Sequence, residues 1–349
     1  MPRLDFLVPG DLETPTGGYL YDRRIARGLR GLGWEVRVRG LDASFPRPSR
    51  GALQQAAEVL AQLPSGGLVL IDGLAMGAMP AVALAESRRL RLVGLVHHPL
   101  SAETGLSPAE TRALRSAEQG ALAAARRVIV TSRHTADRVA ELGVQASRIE
   151  VVEPGTDPAP LARGSGSSTL HLLCVATLTH RKGHAVLFDA LASLKHRAWR
   201  LTCVGSTNRC TETLRDLGER IPRLGLEARV SLAGEVNSER LAGLYDRADL
   251  FVLATRFEGY GMALAEALAR GLPVVSTRTG AVPETVPEEA GLLVPPNDPV
   301  SLAAALSRLM EDPELRGRLA LGARAARKRL PSWAQACRRM DAALRAAAR

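Results

Sequence analysis

Short apolar runs bounded by turn residues recur along the chain, and stretches with apolar residues returning every three or four positions lie between them. In the first half the runs are Leu4–Pro9, Glu35–Arg39, Gly67–Asp72, Leu92–His97, Val128–Ser132 and Ile149–Val152. Runs of this length, most of them unbroken by polar residues, predict strands covered on both faces. The segments near Tyr19–Leu32, Leu53–Leu63, Pro108–Ala125 and Thr135–Leu142 predict amphipathic helices. This βαβα order implies a parallel sheet with helices on both sides. The pattern stops between Pro154 and Ser168, a Pro/Gly/Ser-rich stretch without periodicity. It then restarts with strands at Leu170–Ala176, Arg200–Gly205, Arg229–Ala233, Leu250–Ala254 and Pro273–Ser276. Two helical stretches, split at Pro331, close the chain. The fold class is therefore α/β, with domains at 1–155 and 169–330, a linker at 156–168 and a basic helix at 331–349. Ligands of such doubly wound sheets bind at the carboxyl ends of the strands, in the cleft that two domains leave between them.

Composition narrows the picture. The 349 residues are 46% hydrophobic but only 3% aromatic, so the cores are built from Ala, Leu and Val. Net charge is +10, and Pro313–Arg349 holds ten Lys+Arg against two Asp+Glu. The remainder is nearly neutral, which argues against a nucleic-acid surface: that would spread the charge and add stacking aromatics. The basic tail offers a peripheral contact with anionic lipid, or is a solvated helix face. Cys174, Cys203, Cys210 and Cys337 show no C-x-x-C spacing and no neighbouring His cluster, which reads against disulfides or zinc and for a reducing cytosol. Met1 leads straight into RLDFLV, so no secretory signal is expected, and no apolar run reaches membrane-spanning length.

Chemistry concentrates in RFEGYGMALAEALARGLPVVSTRTGAVPE, residues 256–284. An apolar strand, a Gly-punctuated loop and a helix place Glu258 before the helix and Glu266 inside it. Gly259 and Gly261 let a ligand approach the backbone. The N–H groups of Gly261, Met262, Ala263 and Leu264 open the helix, where an anion is favoured. Two carboxylates beside an anion cradle suit a ligand that is phosphate at one point and polyol at others.

This string resembles the signature of retaining glycosyltransferases of family 4, which have the GT-B fold: two Rossmann-like domains facing a central cleft, the last helix crossing back to the first domain. The resemblance implies that Glu258 contacts the donor sugar and Glu266 the ribose hydroxyls. The segment LCVATLTHRKGHAVLFDAL resembles the family's diphosphate-binding loop, and assigns the diphosphate to Arg181 and Lys182. Ala176-Thr177 stand where many members carry Gly-Arg, and Arg181 is the candidate for the missing charge. Gly17 and Gly18 match the Gly-Gly loop that faces the donor diphosphate. Of the adjacent His97 and His98, His97 is the one expected against the donor sugar, hydrogen-bonding rather than acting as a base. Val236 is placed at the nucleobase through its backbone. Glu103 and Asp11 are nearby acids with no spacing argument, and Gly280 and Glu284 follow the next strand in a Gly-x-x-Glu pattern. No Asp-x-Asp pair stands at a strand end, so a metal-independent site is expected. The reading implied is a cytoplasmic hexosyltransferase using a nucleoside diphosphate sugar, UDP favoured over GDP, with His97 and Glu258 as catalytic residues, no cofactor and an unread acceptor. A nucleotide-sugar epimerase acting by hydrolysis and a non-catalytic sugar-nucleotide scaffold are the alternatives.

Overall fold

A computed structural model describes residues 1–207 and 210–349. The chain forms two compact units, Met1–Gly155 with Pro331–Arg349, and Thr156–Leu330.

In the first unit β1 (Arg3–Pro9), β2 (Glu35–Leu41), β3 (Leu68–Asp72), β4 (Arg91–Val96), β5 (Arg127–Val130) and β6 (Ile149–Val151) make one sheet in the order β2-β1-β3-β4-β5-β6. Every pairing is parallel. The two-residue period of a strand sorts its side chains. Leu4, Phe6 and Val8 pack into one core layer with Tyr21, Ile25 and Leu29, whereas Leu7 joins the layer on the other face. The first layer is completed by the final helix, Trp333–Ala347, which buries Ala336, Cys337, Met340, Ala343, Leu344 and Ala347. Its partner is the helix Gly17–Gly31, where Gly28 permits the approach: a Cβ there would lie 2.1 Å from Cys337 Sγ. The chain thus returns to its first unit after building the second.

The second unit repeats the plan with β7 (Leu170–Val175), β8 (Trp199–Val204), β9 (Val230–Leu232), β10 (Leu250–Leu253), β11 (Val274–Thr277) and β12 (Gly291–Val294), in the order β12-β11-β10-β7-β8-β9. Strand β12 went unread because its four residues are flanked by Glu, Pro and Asn. The stretch read as a linker is held by the second unit: Ala162 N–H donates to Arg270 O at 2.9 Å, and the N–H groups of Arg163 and Gly164 donate to Asp246 O at 2.9 Å. Its composition suppresses helix and strand, but the backbone is still tied down. No helix among the described residues is long and apolar enough to cross a membrane.

Candidate functional site

In the second sheet β7 and β10 are neighbours although two strands separate them in sequence. The winding reverses there, and at such a switch point the loops leaving the two strands diverge and open a crevice. The loop after β7 carries Arg181 and Lys182, and the loop after β10 carries Glu258. Topology therefore brings together residues 76 positions apart.

Lys182 Nζ donates to Glu258 Oε1 at 2.6 Å, and Arg181 Nη1 lies 3.8 Å from Glu258 Oε2. Glu258 is 4% exposed. Arg181 also ties the loops, donating from Nη1 to Phe257 O at 3.0 Å, while Arg256 N–H donates to Arg181 O at 2.7 Å. The Thr255 hydroxyl lies 3.2 Å from Arg181 O and 3.0 Å from Phe257 O. Burial opposes the charge of Glu258, yet Lys182 and Arg181 outweigh it and hold its carboxyl below the ordinary range. For Lys182 burial wins instead: Glu258 supports its charge, but its pKa is lowered.

Two glycines make this meeting sterically possible. Gly183, at φ +68°, ends the Lys182 turn, and a Cβ there would stand 1.8 Å from Ala254 O. Gly280, at φ +53°, would bring a Cβ to 2.2 Å from Glu258 O, and the next residue, Ala281, donates its N–H to that same oxygen at 2.9 Å.

Gly261, left-handed at φ +90°, caps the helix Met262–Ala269 without a side-chain cap. The amides of Met262 and Ala263 lie in its first turn, where the helix itself supplies no carbonyl. Leu264 departs from the expectation that its amide is open: its N–H donates to Gly261 O at 2.9 Å, because the first turn tightens. Glu266 accepts from Tyr245 Oη at 3.1 Å, and Arg270 lies 4.1 Å over the ring of buried Tyr245. The carboxylate thus has a fixed orientation. Val236 sits in the loop between β9 and the helix Ser238–Asp246, half-buried against the core. Glu284 is exposed in the short helix Val282–Thr285.

The first unit gathers its own group at the carboxyl ends of β1, β3 and β4. Gly17 and Gly18 open the first helix, capped by Thr16, which accepts from Tyr19 N–H at 3.3 Å. A Cβ on Gly18 would lie 3.4 Å from His97 Cδ2, so these two expected residues are in contact range. His97 Nε2 lies 3.1 Å from Asp22 Oδ1 and 3.5 Å from Asp72 Oδ2, and its ring meets Tyr21 edge-on at 5.2 Å. Burial alone would strip its proton, but the two carboxylates prevail and raise its pKa well above the imidazole range. His98 points elsewhere, with Nε2 3.4 Å from Glu103 Oε2. Asp11 turns back on its own loop, accepting from Glu13 N–H at 2.9 Å.

Asp22 and Asp72 escaped the sequence reading, though each left a signal. Asp22 interrupts the buried stripe Tyr21, Ile25, Ala26, Leu29 of its helix, and Asp72 ends an otherwise apolar strand. The cysteines have no His cluster beside them in the sequence, yet Cys174 Sγ is 3.7 Å from His184 Nε2, and Cys203 faces Cys174 across paired strands. Linear spacing hides a cluster assembled from β7, β8 and the helix His184–Ala192.

The model of Glycosyl transferases group 1 matches residues 169–312, and that of Glycosyltransferase Family 4 matches residues 67–160. D-inositol 3-phosphate glycosyltransferase of Xylanimonas cellulosilytica is 32% identical over 241 residues, 64% of this chain and 57% of that protein. The MMP alpha-(1->4)-mannosyltransferase of Mycolicibacterium hassiacum is 28% identical over 83% of this chain and 73% of its own length. The chain spans little more than half the length of the first of these curated relatives. Sucrose-phosphate synthase from Thermosynechococcus elongatus shares the fold with a TM-score of 0.84 at 22% identity, covering 99% of each chain. Anabaena Alr3699/HepE, solved with UDP and glucose, superposes with a TM-score of 0.80 at 21% identity, covering 99% of this chain and 100% of its own. With its two six-stranded parallel sheets and the family matches in both units, the chain belongs to the group 1, family 4 glycosyltransferases and has their GT-B fold.

Proposed function

We propose that this protein is a retaining glycosyltransferase that moves a hexose-type sugar from a nucleoside diphosphate sugar to an acceptor. The observation that carries this reading is the Lys182–Glu258 pair at the β7/β10 switch point, its carboxylate buried and its ammonium half-buried. Burying a carboxylate costs several kcal/mol before the attraction of its partners repays it, and a carboxylate held so between two cations in a crevice is a functional-site candidate. Lys182 and Arg181 supply positive charge for the diphosphate, together with the amides of Gly261, Met262 and Ala263. Leu264 contributes to this helix start through packing, its amide being bonded internally.

Glu258 orients the hydroxyls of the transferred sugar. Glu266, braced by Tyr245, takes the ribose hydroxyls, and Val236 meets the nucleobase through its backbone. In the first unit Gly17 and Gly18 give close backbone approach to the donor, and a protonated His97 donates a hydrogen bond to the transferring sugar. That unit also binds the acceptor. UDP is the favoured nucleotide, a choice supported by the UDP complexes of Anabaena HepE. Arg181, Lys182 and the helix amides offset the charge of the departing diphosphate in place of a divalent ion. The arginines Arg338, Arg339 and Arg345 are exposed on the final helix, whose apolar side is spent on the first unit, and Arg349 is exposed just beyond it. Contact with an anionic membrane surface is therefore electrostatic and salt-sensitive.

The reading is tested by incubating the protein with UDP-sugars, with and without candidate acceptors, and measuring free UDP and free sugar. Acceptor-dependent UDP release is expected, unchanged when Mg2+ or Mn2+ is added to metal-free buffer. Glu258→Gln and Lys182→Ala should each lower kcat/KM roughly 100-fold or more. Stoichiometric release of free sugar without acceptor would instead identify a hydrolase, and binding without turnover a scaffold.

A further inference from the structure

Behind the Lys182 loop lies a cluster that donor binding does not use. Cys174 on β7 and Cys203 on β8 are directly paired across parallel strands, so their side chains leave the same face of the sheet. His184, the first residue of the helix His184–Ala192, closes over that face. One donor atom from each lies within 4.8 Å of the other two. A point therefore exists within ~2.8 Å of all three, about half an ångström beyond a zinc–sulfur bond of ~2.3 Å. Cys203, Cys174 and His184 are 0%, 1% and 2% exposed. His184 Nε2 faces Cys174 Sγ at 3.7 Å, while its Nδ1 is buried with no hydrogen-bond partner among the described residues. Nε2 is therefore the ring nitrogen placed to join the two sulfurs in holding an ion.

We propose that Cys174, Cys203 and His184 form a buried binding site for a thiophilic d10 cation. Two sulfurs and one imidazole are soft donors that reject Mg2+ and Ca2+ and accept Zn2+ or Cu+. On binding, each thiol that becomes a ligand exchanges its S–H bond for an S–metal bond and releases a proton, with no change of oxidation state. Three protein donors complete a trigonal site for Cu+, whereas Zn2+ takes a fourth ligand. The ion would join β7, β8 and the helix that begins directly after Lys182-Gly183, fixing the base of that loop. The site stands independently of the proposed transferase chemistry, because its readouts need no substrate.

The test uses Cd2+ as a spectroscopic probe on the full, reduced chain, followed by Zn2+ and Cu+ competition to rank the two. One equivalent of Cd2+ should give a thiolate-to-metal charge-transfer band, release protons and raise the Tm. X-ray absorption of the wild-type complex should show two sulfurs and one nitrogen in the metal's shell. Cys174→Ser and Cys203→Ser should each cut the band by at least half and together remove it, Cys210→Ser and Cys337→Ser should leave it, and His184→Gln should weaken binding by no less than the roughly 10–100-fold that loss of an outer-shell partner costs. No band, a band lost only with Cys210 or Cys337, or a wild-type shell with fewer than two sulfurs would overturn the proposal. The X-ray measurement decides the matter even if the serine variants fail to fold.

Discussion

Glu258 shows how a single residue couples stability to pH. Its folded pKa lies below the unfolded carboxylate value of about 4.3, so its ion pair contributes fully above that pH. The contribution is lost as pH falls through the folded value. Glu258→Gln leaves the half-buried Lys182 without its carboxylate, a change expected to cost up to about 3 kcal/mol near neutrality. Denaturant melts at pH 6 and pH 3 check the sign: the gap between wild type and variant should narrow at pH 3. A gap that widened would mean that Glu258 is not charged in the folded protein. At this scale the sequence was informative where a motif is contiguous, as with Glu258 and Glu266, and silent where partners are distant. Asp22 and Asp72 join His97 only because β1, β3 and β4 end side by side.

Among the elements, the loops that end at Gly183 and Gly280 are fixed by backbone sterics. At Gly183 both the positive φ and the 1.8 Å approach to Ala254 O forbid a side chain. Gly183→Ala should therefore lower the Tm of the second unit and displace Lys182, reducing donor affinity. Gly218 is the contrast: it lies within the helix Thr211–Arg223, and an added Cβ meets nothing within 4 Å among the described residues. Gly218→Ala should stabilise by about 0.5–1 kcal/mol through helix propensity and a less flexible unfolded chain. Thermal denaturation of the two variants should move in opposite directions. The helices and most strands were legible because their apolar periods are local properties. Strand β12 was not, because four residues carry too little pattern.

For the whole molecule, the decisive feature is the return of residues 331–349 to the first unit. The final helix covers Tyr21, Ile25 and Leu29 in one core layer, and Trp34 Nε1 donates to Asp341 Oδ1 at 2.6 Å. Truncation after Leu330 would expose that layer to water. Scanning calorimetry should then show the first unit melting earlier, with the transition of the second unit little changed. A uniform loss across both transitions would contradict this assignment of the helix. The same deletion removes the exposed Arg338, Arg339 and Arg345, so any low-salt binding to anionic vesicles should fall with it.

By itself the sequence determined the alternation of strand and helix, the two-fold repetition of that plan and the carboxylate–glycine segment after β10. Each of these is written in adjacent residues, where hydrophobic period, turn chemistry and helix-start geometry act locally. Tertiary structure alone decided which distant groups meet. It set Lys182 against Glu258, enclosed His97 between two aspartates, tied residues 162–165 to the second unit and gathered Cys174, Cys203 and His184 under one helix. Parallel sheets impose this division: neighbouring strands are joined by long crossovers, so residues that touch at strand ends are far apart along the chain.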